Sequence, residues 1–399
     1  MKFYLYIILI LSVDWDYNNK KDQVEASKVI SNEYKEYCKA NYKFFGKVKN
    51  HHLNKLIVIF RHGDRAPLKN FNSEWSKKKC VKCLFNQDTI SNCKNANCNI
   101  GDLTITGFKQ AQELGKFIKK NYEKLLFPDG INEKDIYYRV TKVKRTHSTL
   151  MGVMKGLRKK DSINNVNSFY KDDSLLRIKN CSSLDQLNSN NFKVNDDTLC
   201  AMEKMDIQNG RDLAYLADEI RCAMCNKIKL DISNENDIIN KILKLSNNNW
   251  SKQMDNVQNN ENARTILFGR FGNDLLNLLS CTPTLSLISA HDGSLGMILS
   301  ALSSKIQNWP SYASAIFIEI WSKSEKQYVR MIYNNKKLDL DGYDDDMVPI
   351  GEFIKYVSKL SPEGVGIESL CQIKNTGKNN SFLIANKNGS ISKYYLSYF

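Results

Sequence analysis

Apolar residues in this chain gather into short continuous runs, separated by longer stretches with helical spacing. Lys55–Phe60 (Lys-Leu-Ile-Val-Ile-Phe) is such a run, rich in β-branched side chains, which is the pattern of a strand buried on both faces. Thr284–Ile288 reads as a second buried strand and Asp135–Val140 as a third. Between them, Phe108–Tyr122 puts Ala111, Leu114, Phe117 and Ile118 on one helical face. Arg145–Leu157, Ala263–Leu279, Leu295–Leu302 and Pro349–Leu360 read as further helices, and Glu25–Tyr42 has an amphipathic helical look. Ala313–Trp321 and Gln327–Tyr333 read as two strands of a hairpin. The order β-α-β-α, insertion, α-β-α-β-β-α predicts an α/β fold, a mostly parallel sheet with helices on both faces. Residues 158–262 break the alternation. They are rich in Asn, Asp, Ser and Lys, with helical pieces near 211–227 and 236–246, and predict an inserted, mainly helical cap between core halves 50–157 and 263–399.

Composition narrows the class. At 399 residues the chain is long enough for two or three domains of about 150 residues, or for one large domain with an insertion. Its 42% hydrophobic content is too high for wholesale disorder. The one conspicuous apolar stretch, Phe3–Val13, excludes a polytopic membrane protein. It follows Met1-Lys2 and has the length of a secretory signal core, which makes residues 1–13 a signal-peptide candidate. It is short for a membrane span. No small-x-small pair precedes Asp14, so an uncleaved anchor, and with it a membrane association, stays open, as does a buried N-terminal strand. The net charge of +15 is dispersed, with no Lys/Arg block that reads as a nucleic-acid arm, so no nucleic-acid partner is expected. A homodimer stays open.

The 11 cysteines point to an oxidising compartment: secreted, lysosomal or Golgi lumen. Their odd number leaves at least one unpaired. Cys80-x2-Cys83 followed by Cys93-x4-Cys98 has zinc-ribbon-like spacing, but behind a signal peptide a disulfide-stapled loop is the better reading. Cys222-x2-Cys225 lacks a thioredoxin-like context and reads as structural. Asn180, Asn249, Asn379 and Asn388 each open an Asn-x-Ser sequon, which adds little in so Asn-rich a chain.

Any imidazole chemistry must come from five histidines, His51, His52, His62, His147 and His291. That scarcity, and the absence of His-Glu-x-x-His, Gly-x-Ser-x-Gly and Gly-x4-Gly-Lys-Ser/Thr, removes the common zinc, serine-hydrolase and P-loop sites. Directly after the Lys55–Phe60 strand comes Arg61-His62-Gly63-Asp64-Arg65-Ala66-Pro67, at the carboxyl end where open α/β sheets hold their ligands. Two guanidiniums make a permanently charged fork for an oxyanion, and their field keeps His62 neutral and nucleophilic. Gly63 is expected to let the backbone approach a bound group, and Pro67 to fix the exit of the loop. Composition alone would give Arg-His-Gly-x-Arg-x-Pro in about one chain in ten thousand of this size. His51 and His52 precede the strand and receive no role. His147 reads as a helix-surface residue and Asp64 as a salt-bridging neighbour that is not the acid.

This motif resembles that of the histidine acid phosphatases, the phosphatase branch of the phosphoglycerate mutase-like superfamily. Leu103-Thr104-x-x-Gly107-x-x-Gln110, Arg139-Val140-Thr141-x-x-x-Arg145-Thr146 and Ser289-Ala290-His291-Asp292 are similar to further family segments. Weaker matches are Tyr312-Ala313-Ser314 with Glu319, and Val329-Arg330-x-x-Tyr333-Asn334. The resemblance implies a secreted or luminal phosphomonoesterase needing no cofactor and no metal. His62 would be the nucleophile and form a phosphohistidine, and Asp292 would protonate the leaving alcohol. Arg61, Arg65, Arg145 and His291 would hold the phosphoryl oxygens. Ser294 stands where many members carry Thr. The substrate would be a small-molecule or glycan phosphate monoester. Ala217–Cys225 is loosely similar to the branch that removes the 2-phosphate of xylose in proteoglycan linkers. An inactive phosphate- or glycan-binding protein on the same fold is the rival from another class, a phytase is disfavoured by the lack of a dense basic loop, and a mutase by Pro67 and His291-Asp292.

Overall fold

The computed structural model describes residues 36–69, 73–83, 90–158, 167–169, 173–176, 181–189, 210–228, 235–280, 283–303, 308–343, 347–362, 367–371, 384–385 and 391–392. The candidate signal segment 1–13 and the sequons at Asn180, Asn379 and Asn388 lie outside them.

The first strand, β1 (His52–Arg61), is followed by a small hairpin, β2 (Lys79–Lys82) and β3 (Lys94–Asn97). Helix α1 (Ile105–Leu126), strand β4 (Ile136–Thr141), helix α2 (Lys144–Leu157) and the short strand β5 (Asn167–Phe169) come next. Three helices follow, α3 (Ser182–Ser189), α4 (Gly210–Asn226) and α5 (Glu235–Gln258), and then α6 (Glu261–Ser280). The chain continues through β6 (Leu285–Ala290), α7 (Asp292–Leu302), β7 (Ala315–Lys323), β8 (Lys326–Tyr333), β9 (Lys336–Leu338), β10 (Val348–Pro349) and α8 (Ile350–Leu360). Apart from the β2–β3 hairpin, these strands form one sheet in the order β10-β8-β7-β1-β6-β4-β5, with β9 paired to β8. Its β1-β6-β4-β5 half is parallel; β7 runs antiparallel to β1, and β8 antiparallel to β7. This is the expected α/β sheet with helices on both faces. The edge strand β5 comes from within residues 158–262, so that segment joins the main sheet before its helices begin.

Alternation along β1 builds the two layers. Leu56, Val58 and Phe60 pack with Leu114 and Ile118 of α1 and Met151 and Met154 of α2. Ile57 and Ile59 pack with Phe268 and Phe271 of α6, Leu295 and Ile298 of α7 and Phe353 of α8. α1 and α2 touch almost backbone to backbone: a Cβ built on Gly115 would lie 2.0 Å from the Val153 carbonyl oxygen, and one on Gly156 2.1 Å from that of Gln112.

Several expectations need correction. Of the helical pattern over Glu25–Tyr42, residues 25–35 lie outside the described residues, and beyond Cys38 the chain runs without helix because it is pinned edge-on, Ala40 N–H to the Tyr312 carbonyl and Lys43 N–H to that of Asn334. The helix expected over 236–246 continues to Gln258 through Asn247-Asn248-Asn249. Asn249 is buried there, which removes its sequon from any glycosylating enzyme acting on the folded chain. The strand expected from Ala313 starts two residues later, since Ala313 sits at φ 59° and cannot continue a ladder.

Among the described residues the cysteines pair as Cys38–Cys225, Cys80–Cys98, Cys83–Cys93 and Cys181–Cys371; Cys200 and Cys281 lie outside them. The zinc-like spacing therefore belongs to two nested disulfides that staple the β2–β3 hairpin. Cys225 is bridged, whereas its neighbour Cys222 is free and buried. Among the described residues no helix is long and apolar enough to cross a membrane.

Candidate active site

Three neighbouring parallel strands end at one edge of the sheet. β1 delivers Arg61 and then His62, β6 delivers His291 and Asp292, and β4 delivers Thr141 and, at the start of α2, Arg145. The register Phe60↔Ser289 and Arg61↔Ala290 brings the two histidine segments level, and the His62 and His291 ring centroids lie 5.6 Å apart. Five of the six residues expected to carry the chemistry are thus gathered at one place, and the sixth, Arg65, follows on the loop after β1 and acts electrostatically on His62.

The backbone holds His62 by its N–H to the Ala290 carbonyl at 3.0 Å and by its own carbonyl to the Ala313 N–H at 3.1 Å. Its Nδ1 lies 2.8 Å from the carbonyl oxygen of Gly63. A carbonyl can only accept, so Nδ1 carries the hydrogen and Nε2 keeps its lone pair. Burial, then Arg145, Arg61 and Arg65, push the imidazole well below its ordinary range and hold it neutral.

The three guanidiniums differ in their partners. Arg61 is fully buried; it reaches Asp292 Oδ2 at 2.8 Å, the Pro310 carbonyl at 2.5 Å and the Tyr37 hydroxyl at 3.0 Å, and it lies 4.4 Å from the Tyr312 ring centroid. Arg65 makes a bidentate pair with Asp218, at 2.9 and 2.8 Å. Arg145 has only the His291 Nδ1, at 3.4 Å, and no carboxylate among the described residues. Burial and Arg65 lower it to about 9, which leaves it cationic at any acidic pH. The Nε groups of all three are buried without an acceptor. Buried guanidinium donors without an acceptor, close to the two histidines, suit an oxyanion.

His291 Nε2 lies 2.8 Å from Thr141 Oγ1, and burial and Arg145 lower its pKa. Its N–H donates to Ser294 Oγ at 3.3 Å, and Ser294 donates to the Leu175 carbonyl at 2.6 Å, so Ser294 braces the turn. Asp292 receives the Gly293 N–H on Oδ1 at 2.8 Å and the Trp309 indole N–H on Oδ2 at 3.2 Å. Burial acts to raise its pKa, but Arg61 and Arg65 outweigh this and hold it well below the usual carboxylate range.

Asp64 is not a salt-bridging neighbour. It is buried, takes hydrogen bonds from Thr104 Oγ1 and from Asn226 Nδ2 at 3.0 and 2.9 Å, and is raised by burial to about 6. It ties the loop to the start of α1 and to α4; Arg65 and Lys78 pull its pKa down, but among the described residues it makes no salt bridge. Gly63 serves the same junction. A Cβ on it would lie 2.3 Å from the Gly107 carbonyl oxygen, so the close approach is to the start of α1 and not to a ligand. His147 is 1% exposed and not on the surface, because α2 is covered by α1, by the sheet and by β2 together. His51 and His52 lie before and at the start of β1, at its far end from the site.

Sequence reasoning missed Tyr37, Trp309 and the pairing of Asp218. Asp218, Cys222 and Asn226 stand one turn apart on α4 and all meet the 61–68 loop or its support: Asp218 through Arg65 and the Leu68 N–H, Cys222 through the Tyr312 hydroxyl at 3.1 Å, and Asn226 through Asp64. The i, i+4, i+8 spacing of Asp218, Cys222 and Asn226, which puts them on one face of α4, was the available signal, and the other charged residues of that helix masked it. Among the described residues no group of three or more His, Cys, Asp or Glu could hold a metal ion.

A strand-end histidine pair framed by three arginines, on a mostly parallel sheet with helices on both faces, defines an enzyme that handles phosphoryl groups. The sequence model of the histidine phosphatase superfamily (branch 2) matches residues 52–267, and the chain belongs to that family and is a phosphatase of the histidine acid phosphatase type. It is 23% identical over 368 residues to human prostatic acid phosphatase, covering 82% of this chain and 91% of that one. Among solved structures it is similar to the apo form of the phytase of Hafnia alvei, with a TM-score of 0.56, 15% identity and coverage of 82% of this chain and 100% of that one. It is also similar to the multiple inositol polyphosphate phosphatase of Bifidobacterium longum in complex with inositol hexasulfate, with a TM-score of 0.53, 11% identity and coverage of 80% and 96%. These two likenesses speak to the fold.

Proposed function

We propose that the protein hydrolyses phosphate monoesters without a metal, through a phosphohistidine on His62 with Asp292 as proton donor. The observation that carries this reading is the meeting of the neutral His62 with His291, ring centroids 5.6 Å apart, beside three guanidiniums, one of which, Arg145, makes no salt bridge among the described residues. Arg61, Arg65, Arg145 and His291 bind the phosphoryl oxygens, and their cationic charge does the neutralising that Mg²⁺ or Zn²⁺ does elsewhere. An ester monoanion, populated below a second phosphate pKa of about 6, brings a proton that passes to Asp292 as the bound negative charge offsets the arginines. His62 Nε2 forms the N–P bond while the P–O ester bond breaks, and the Asp292 proton leaves with the alcohol. Water then attacks phosphorus and gives one proton to Asp292 as the N–P bond breaks. Inorganic phosphate departs with that proton as its monoanion, which leaves Asp292 ionised and His62 neutral again. Splitting the reaction lowers each barrier, and the spread of charge over equatorial oxygens suits a cationic clamp.

The helices of residues 158–262 form the cap over this site, with α4 as its inner wall. The four disulfides and the phosphatase relatives support residence in the secretory pathway, and the substrate is a small-molecule or glycan phosphate monoester. The test is phosphate release from an aryl phosphate between pH 4 and 7 after exhaustive dialysis against a chelator. Activity is expected to persist after dialysis and to be lost in His62→Ala. Strict dependence on a chelatable metal, or full activity in His62→Ala, overturns the reading. A panel of phosphorylated sugars, proteins and inositols then assigns the substrate.

A further inference from the structure

We propose that Trp309 is a positioning residue for the proton donor: it aims Asp292 at the leaving-group oxygen, and through it the cap helices α4 and α5 decide how poor a leaving group the enzyme expels. This rests on the reading of Asp292 as the donor. A carboxylic acid delivers its proton in one direction, so the plane of the carboxyl must be fixed. Two neutral donors fix it, the Gly293 N–H on Oδ1 and the Trp309 indole N–H on Oδ2. The third contact, Arg61 on Oδ2, is a charge that the incoming phosphoryl group draws on. Once Arg61 is shared, Trp309 is the side chain left to orient that oxygen.

The indole is itself held. The Trp250 ring of α5 stacks on it at 4.6 Å and 28°, and the Arg221 guanidinium of α4 lies 4.4 Å from its centroid. Arg221 is buried and anchored to Ser246 Oγ at 3.0 Å and Asn247 Oδ1 at 2.8 Å, both on α5. It also lies 5.4 Å from the centroid of Tyr37, whose hydroxyl accepts from Arg61. The contacts close a circuit, Arg61–Tyr37–Arg221–Trp309–Asp292–Arg61, in which one cap residue, Arg221, braces both Trp309 beside the acid and Tyr37 beside its counter-ion. None of Tyr37, Arg221 and Trp309 touches His62 in this circuit, so the device serves the leaving group and not the nucleophile.

The test compares kcat/KM for 4-nitrophenyl phosphate, whose leaving group needs no proton, with that for simple alkyl phosphates, whose leaving groups do. In Trp309→Phe the stack remains and the N–H is gone. The alkyl substrates are expected to lose about tenfold and the nitrophenyl ester less than about twofold, so the dependence on leaving-group pKa steepens. Because both rates come from one preparation, their ratio does not depend on the folded fraction. Trp309→Tyr, which restores a ring-borne donor, is expected to bring the ratio back toward the parent. An equal loss on all substrates, or an unchanged ratio, overturns the proposal. Asp292→Asn run alongside separates the two layers: a ratio that moves in Asp292→Asn but not in Trp309→Phe defeats the Trp309 inference alone, whereas a ratio unmoved in Asp292→Asn defeats the donor reading beneath it.

Discussion

Arg145 sets the charge balance of the site. Arg61 and Arg65 each face an aspartate, so in the proposed reaction the unmatched positive charge that meets an incoming phosphate is largely that of Arg145. Its replacement by Gln is expected to weaken competitive inhibition by inorganic phosphate by about tenfold to a hundredfold, the equivalent of about 1.5–3 kcal/mol for a charged hydrogen bond. An unchanged inhibition constant would remove Arg145 from the anion site. His147 makes a second prediction at this scale. Burial lowers it to about 4, against about 6.5 in the unfolded chain. Below pH 6.5 the unfolded state binds a proton that the folded state refuses, so this residue costs stability progressively as pH falls from 6.5 to 4, and no further below that. His147→Gln is expected to flatten the loss by up to about 1.4 kcal/mol per pH unit in that window, read from urea unfolding at several pH values. An unaltered slope would contradict the burial argument. The sequence showed His147 only as one polar residue in a polar stretch, Thr146-His147-Ser148-Thr149, and no periodicity reveals that a helix is covered on all sides.

At the scale of elements, strands were the most legible. A run such as Leu56-Ile57-Val58-Ile59-Phe60 has one stable destination, a strand with both faces covered, and its two alternating halves lie in two different cores. The helix of residues 235–258 was less legible, because Asn247-Asn248-Asn249 has the local preference of a turn. In the folded protein Asn247 accepts from Arg221 and the helix is carried through by packing of Trp250 and Met254. The α1–α2 pair depends on small residues at its contact. Gly115→Ala places a methyl group 2.0 Å from the Val153 carbonyl oxygen and must push the helices apart. A loss of about 1–3 kcal/mol is expected in chemical unfolding. An unchanged midpoint would mean that the two backbones are not in contact.

For the whole molecule, sequence order gave the strand-ends that meet, since parallel neighbours joined by helices must bring their carboxyl ends to one edge. It did not give the partners that arrive from afar. Tyr37, Asp218 and Trp309 reach the site from segments whose approach is fixed by tertiary packing and by the Cys38–Cys225 bridge, which spans 187 residues. That bridge joins the segment carrying Tyr37 to the helix carrying Asp218 and Arg221. Its removal by Cys38→Ser with Cys225→Ser is expected to cost about 2–5 kcal/mol of stability and to lower activity at temperatures where the variant is still folded. Full activity with lowered stability would confine the bridge to a structural role.

The central claim is that His62 carries the phosphoryl group between the two halves of the reaction. The most direct measurement is to quench the enzyme during turnover of a radiolabelled phosphate ester and to map the labelled peptide by mass spectrometry under alkaline conditions that preserve phosphohistidine. Acid-labile phosphate is expected on His62, accumulating in Asp292→Asn with a good leaving group and absent from His62→Ala. Label on another residue, or turnover by His62→Ala at the parent rate, would contradict it.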